Sequence, residues 1–241
     1  MGTNILIYGE SGSGKSTALR NLNPKETFII NVVGKPLPFR GWQKKYTTID
    51  SKTNPTGNYF CNVNYDAVGK TIDYVIDKRP EIKNLVIDDF QYIMADDFMS
   101  RALEKGFDKF AEIALHAYDI VRKASFTCRD DLKCIFLSHS DNSNPEKIKL
   151  KTIGKMLDEK IALEGLFTIV LYSFAHEDKY KFLTKSNGNT IAKAPMGMFE
   201  DKCIDNDLKE VIAKVDEYYS FLDEDVPDMP KPKPKAEEKT K

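Results

Sequence analysis

Three short, uninterrupted apolar runs punctuate the chain: Ile5-Leu6-Ile7-Tyr8, Leu85-Val86-Ile87 and Cys134 to Leu137. None alternates with polar residues, so each reads as a strand buried on both faces of a sheet. Phe28 to Val33 is a further apolar strand, broken only by Asn31, and Tyr46 to Ile49 predicts a weaker strand. Between them the period changes. Val68, Ile72, Val75 and Ile76 fall on one face of a helix over Asp66 to Lys78, which Pro80 ends. Two further helices follow, separated near Gly106, and in the second Phe107, Phe110, Ala114, Ala117 and Val121 keep a helical period. Phe167 to Phe174 and Tyr180 to Thr184 predict late strands, and Asn187-Gly188 signals a type I′ hairpin. Leu208, Val211, Ile212, Val215 and Tyr218 stripe the last helix.

Strands that alternate with helices predict an α/β fold, a mostly parallel sheet flanked by helices with antiparallel strands added late. We expect one domain over residues 1–222. From Asp223 to Lys241 the chain changes character: four prolines, six acids and five lysines leave little to bury, which predicts a disordered tail. In the whole chain of 241 residues, 36 Lys and Arg oppose 37 Asp and Glu, a formal charge of −1. That balance excludes a protein that coats nucleic acid through its overall charge, though not one with a local basic patch. Cys61, Cys128, Cys134 and Cys203 form no C-x-x-C pair, so they read as reduced, buried thiols. No apolar run is long enough to span a bilayer, and we expect a soluble, cytoplasmic protein with no membrane association.

The chemistry begins where the first strand ends. Gly9-Glu10-Ser11-Gly12-Ser13-Gly14-Lys15-Ser16 matches G-x-x-x-x-G-K-[ST] in full, between a strand and a helix predicted over Ser16 to Leu22. In such a P-loop the glycines let backbone N–H groups turn inward as an anion nest, and the helix adds its positive dipole end. Gly9 to Thr17 would therefore bind a nucleoside triphosphate, with Lys15 at the β- and γ-phosphates and the Ser16 hydroxyl on Mg²⁺. The metal needs an acidic partner, and Asn84-Leu85-Val86-Ile87-Asp88-Asp89 ends an apolar strand in two carboxylates. Asp88 is expected to hold Mg²⁺ through water, and Asp89 is placed to orient or deprotonate the attacking water. Glu10, inside the loop, competes for that catalytic role. After the strand Cys134 to Leu137, His139 or Ser138 is a candidate sensor of the γ-phosphate.

Absent motifs narrow the class. There is no N-K-x-D base-reading sequence, no L-S-G-G-Q, and the six arginines are scattered instead of clustered in a phosphate-closing lid. ATP is the expected nucleotide, and RecA-like and AAA-type ATPases remain. Four later blocks are distinctive: Val86-Ile87-Asp88-Asp89-Phe90-Gln91-Tyr92, Gly154-Lys155-Met156-Leu157-Asp158-Glu159-Lys160-Ile161, Glu164-Gly165-Leu166-Phe167, and Lys193-Ala194-Pro195-Met196-Gly197-Met198-Phe199. With the P-loop they resemble phage-encoded RecA-like ATPases, often described as "AAA" domain proteins and linked to single-strand annealing and recombination. The resemblance runs from about Asn4 to Phe199 and implies a RecA-like P-loop NTPase core that binds ATP and acts on single-stranded DNA beside a single-strand-binding protein. RecA places its catalytic glutamate elsewhere, and no clear equivalent occurs here.

Two basic segments bear on the DNA expectation. Lys147, Lys149 and Lys151 alternate with Ile148 and Leu150, and Lys155 follows. In RecA-like proteins the loop after this strand binds single-stranded DNA; read otherwise, the lysines keep an edge strand soluble. Lys35, Arg40, Lys44 and Lys45 surround Phe39 and Trp42, a mixture that suits a single-strand platform or a packed Trp. RecA-like cores also place the γ-phosphate at a protomer interface, so a homo-oligomer is expected, with Lys193 reaching a neighbour's site. Two other functions stay open, a small-molecule phosphotransferase and a nucleotide-gated assembly protein that barely hydrolyses ATP.

Overall fold

In the computed structural model, which describes residues 2–154 and 156–220, the apolar runs become the centre of one mixed sheet. Its strands are β1 (Asn4–Gly9), β2 (Thr27–Asn31), β3 (Tyr59–Cys61), β4 (Asn84–Asp88), β5 (Lys133–Asp141), β6 (Lys149–Leu150), β7 (Ile169–His176), β8 (Lys179–Leu183) and β9 (Cys203–Asp205). The order is β3-β2-β4-β5-β1-β7-β8-β9, with β6 paired to β5. Pairing is parallel from β3 through β7 and antiparallel for β7–β8, β8–β9 and β5–β6. The fold is thus α/β, with antiparallel strands added late.

The helices are α1 (Trp42–Lys45), α2 (Tyr65–Lys78), α3 (Gln91–Ser100), α4 (Asp108–Phe126) and α5 (Leu208–Ser220). Strand side chains alternate between faces, and both faces are covered. Leu6, Tyr8, Leu85, Ile87 and Phe136 pack against α2, α3 and α4 through Val68, Ile72, Ile93, Ile113 and Val121. Ile5, Ile7, Val86, Ile135 and Leu137 lie on the opposite face with Leu19, Leu208, Val211 and Val215. Two-sided burial is why β1, β4 and β5 carry no polar alternation. The Asn64 side chain caps α2 by accepting from the N–H groups of Asp66 and Ala67.

Several expectations change. Ser16–Asn21 is a 3₁₀ helix of six residues instead of a longer α-helix. Tyr46 to Ile49 forms no strand: Thr48 makes an isolated bridge to Tyr59, and β3 takes the sheet edge. Phe107 stands 83% exposed beside α4 and is not part of its packed face. The tight hairpin lies between β7 and β8, where Glu177 and Asp178 take φ of 48° and 59°. Two successive positive φ values give a type I′ turn without glycine. Asn187-Gly188 instead sits in a loop where the Asn187 side chain accepts from the N–H groups of Asn189 and Thr190. All four cysteines are free; Cys128 and Cys134 are buried with their Sγ atoms 3.2 Å apart, whereas Cys61 and Cys203 are exposed. Lys155 and the tail over 223–241 lie outside the described residues. Among the described residues no helix is long and apolar enough to cross a membrane.

Candidate functional site

Register brings the carboxyl ends of the central strands to one edge of the sheet. Gly9 pairs with His139 across β1 and β5, and Asn31 pairs with Asp88 across β2 and β4. Open parallel sheets place their ligand sites at this edge. Here it holds a cavity of about 260 Å³ lined by Ser11, Gly12, Gly14, Lys15, Ser16, Thr17, Asp88, Asp89 and His139, with Asn31, Lys35, Pro36, Pro38 and Tyr180. The motif residues and the strand-end acids, more than 70 positions apart, therefore face one space. The Ser16 hydroxyl donates to Asp88 Oδ1 at 2.9 Å.

Lys15 is 6% exposed, and its Nζ donates to the carbonyls of Gly9 at 3.0 Å and Glu10 at 2.7 Å. Burial pushes its pKa down to about 8, against the opposing pull of Asp89 and Asp88. Asp88 is 4% exposed; burial and the neighbouring Asp89 raise its pKa to about 7, although the Ser16 hydrogen bond and Lys15 act the other way. A lysine and a carboxyl are thus both held where their charged forms are poorly solvated. The Ser16 hydroxyl and the Asp88 carboxylate are hard oxygen donors, which suits a small divalent cation that keeps water and phosphate oxygens as its other ligands. Among the described residues no cluster of three or more His, Cys, Asp or Glu forms an all-protein metal cage.

Asp89 adopts φ 65°, a left-handed conformation that Asp tolerates better than most residues. The turn is hooked in place by the Phe90 N–H, which donates to the Leu137 carbonyl at 2.9 Å. One Asp89 oxygen lies 3.4 Å from His139 Nε2 and the other 3.3 Å from Lys35 Nζ. Burial alone would raise the Asp89 pKa; the His139 hydrogen bond and the Lys35 charge outweigh it and hold the group below its ordinary value. Gln91 sets His139, since its Oε1 accepts from both the Ser138 hydroxyl and the His139 N–H at 3.1 Å. The Ser138 hydroxyl is spent on that buried bond, so of the two sensor candidates only His139 reaches the cavity.

Glu10 does not share this space. Its carboxylate accepts from the Asn142 side chain and lines a separate cavity of about 380 Å³ with Tyr172, Ser173 and Phe174. Gly9 and Ser13 back the loop: a Cβ on Gly9 would meet the Ser173 carbonyl oxygen at 2.2 Å, and the Ser173 hydroxyl donates to the Ser13 carbonyl at 2.7 Å. Lys193 pairs through its backbone with Val170 and is exposed, away from the cavity. Lys149 sits opposite Asp141 in the β5–β6 ladder, with Lys147 and Lys151 exposed on either side. Lys35, by contrast, is exposed yet lines the cavity beside Asp89. Trp42 packs on Tyr59, ring centroids 5.5 Å apart, so the aromatic part of that cluster belongs to the core.

The 3₁₀ helix after the loop is too short to supply much dipole, so the positive charge at the loop is that of Lys15. Gly12 and Gly14 take φ of 78° and 92°, open to glycine alone without strain. Tyr180, from β8, lies against Gly14, where an added Cβ would meet its ring at 2.4 Å. Gly14→Ala should therefore destabilise the fold by roughly 1–3 kcal/mol. Adding Tyr180→Ala should restore only part of the loss, because the backbone strain remains. Thermal melts of both variants check this; full recovery would show that the ring contact alone matters. Sequence reasoning missed Gln91, Tyr180 and Ser173, whose roles depend on strand order and carry no local signature.

No protein-family model matches the chain, and no curated protein matches it in sequence.

Proposed function

We propose that the chain is a RecA-like P-loop ATPase, binding ATP with Mg²⁺ and acting on single-stranded DNA in phage recombination or replication. The observation that supports this most is the convergence of Lys15, Ser16, Asp88 and Asp89 on one cavity, with Ser16 hydrogen-bonded to Asp88. In this reading Lys15 exchanges its two carbonyl acceptors for phosphate oxygens, and the loop N–H groups add a nest for the β-phosphate. Ser16 and Asp88 hold the magnesium, and Asp88 gives up the proton it keeps below about pH 7 to do so. Magnesium, when bound, neutralises charge on the β- and γ-phosphate oxygens. Asp89 faces the cavity and Glu10 does not, so Asp89 is the carboxylate placed to orient water, with His139 holding it. The DNA role and the oligomer, with Lys193 serving a neighbour, rest on the resemblance and on Lys149 of β6 with Lys147 and Lys151 beside it.

One observation favours a second reading. Asp89 is paired on both oxygens, by His139 and Lys35, and a carboxylate so held is a weak base. That suits a nucleotide-gated assembly protein with slow turnover. ATP turnover with and without single-stranded DNA separates the two: at least several-fold stimulation is expected, and slow, DNA-independent turnover with ATP-dependent oligomer size favours the second. Turnover raised by a metabolite instead would mark a phosphotransferase. A salt titration tests the DNA surface. Each phosphate contact on a single strand contributes about −0.7 to the slope of log K against log salt, so changing Lys147, Lys149, Lys151 and Lys155 to Ala should flatten it by roughly 2–3. An unchanged slope would return these lysines to keeping an edge soluble.

A further inference from the structure

Lys35 joins a backbone clamped to β2 to a largely exposed charged side chain at the cavity. Asn31, at the end of β2, accepts from the Gly34 N–H at 2.7 Å and donates to the Lys35 carbonyl at 2.8 Å. Gly34 turns there with φ 74°. The main chain of Lys35 is thereby clamped to the strand that pairs with β4. Its side chain is 59% exposed, lines the cavity with Lys15 and Ser16, and lies 3.3 Å from Asp89 and 5.2 Å from the Tyr92 ring centroid. Lys15 is buried and held by two carbonyls, so the two lysines are not equivalent.

We infer that Lys35 is a second phosphate-binding cation, moving from Asp89 to the terminal phosphate of a bound nucleoside triphosphate and so freeing the Asp89 oxygen it covers. The inference rests on the triphosphate reading of the cavity and adds which residue tells a triphosphate from a diphosphate. Physical chemistry favours the exchange. Lys35 meets Asp89 from a largely exposed position, with its Nζ on a single carboxylate oxygen, whereas a terminal phosphate offers more charge and several acceptor oxygens. A flexible stem carrying a point charge suits such a swing better than a planar guanidinium. A diphosphate ends short of the exchange, so Lys35 stays on Asp89 and the carboxylate stays covered. Triphosphate binding and release of the water-orienting group become one event.

The test titrates a non-hydrolysable ATP analogue and ADP, each with Mg²⁺, into wild type, Lys35→Ala, Lys35→Met and Lys15→Ala. Lys35→Ala and Lys35→Met should weaken the triphosphate analogue roughly tenfold to a hundredfold and leave ADP within about twofold. Retained ADP binding in both variants shows that they are folded. An equal loss for both nucleotides, or no loss for either, overturns the inference. If Lys15→Ala binds both nucleotides like wild type, the triphosphate reading itself falls and takes this inference with it.

Discussion

Lys15→Ala is expected to lose at least about a hundredfold in ATP affinity while melting no lower than wild type. The affinity loss follows from removing a charge-assisted contact to the phosphates. The unchanged melting point follows from the lysine's own environment. Burial holds its pKa near 8, below the ordinary value of about 10.4, so at pH 7 the folded protein carries a charge it solvates poorly. Removing that charge relieves the fold of a cost. A lysine serving the core would behave in the opposite way, since its loss would lower the melting point and spare binding. Calorimetry with ATP and a thermal melt of the same preparation separate the cases. Unchanged affinity would remove the phosphate assignment.

Asp88→Asn should show the same opposition more strongly. In the folded protein the Asp88 carboxyl keeps its proton up to about pH 7, whereas in the unfolded chain it loses it near pH 4. Between those values the folded state binds the extra proton, so this group's contribution to stability falls as pH rises through the window. The cost is that of ionising a carboxyl whose burial and neighbouring Asp89 both oppose the charge. Asparagine resembles the protonated carboxyl and can still accept from the Ser16 hydroxyl. The ligand-free variant should therefore melt several degrees above wild type at pH 8 and close to it at pH 4. It should also lose the magnesium-dependent part of nucleotide binding. A melting point that falls at pH 8 would mean that Asp88 is a structural anion and not a ligand in waiting.

How much of this could be read along the chain depended on where the deciding contacts lie. β1, β4 and β5 were legible because two-sided burial removes polar residues from the strand itself, and α2 and α5 because one face each is apolar. The convergence of Lys15, Ser16 and Asp88 on one cavity was legible because a local motif and a strand end place them. Lys35 was not: next to Phe39 and Arg40 in sequence it joins a basic surface, and only the pairing of β2 with β4 carries it to Asp89. Glu10 failed in the reverse sense. It sits inside the motif, yet the loop turns its carboxylate toward Asn142 on the far side. The β7–β8 turn escaped notice because Glu177 and Asp178 reach positive φ without glycine, through the demands of the ladder on either side. The short 3₁₀ helix after the loop has no sequence signal that we identify.

The strand order also governs how the chain can be made. β1 contacts β5 and β7, and its Asn4 pairs with Cys134 while Ile5 pairs with Ile169. A ribosome adding roughly 5–20 residues per second needs on the order of ten seconds to travel from β1 to β5, and longer to reach β7. Throughout that interval Ile5, Leu6, Ile7 and Tyr8, fully buried in the finished protein, have neither neighbouring strand. The glycine-rich loop is translated long before the strands that hold it, and N-terminal fragments ending before β5 should expose a sticky apolar strand and bind no nucleotide.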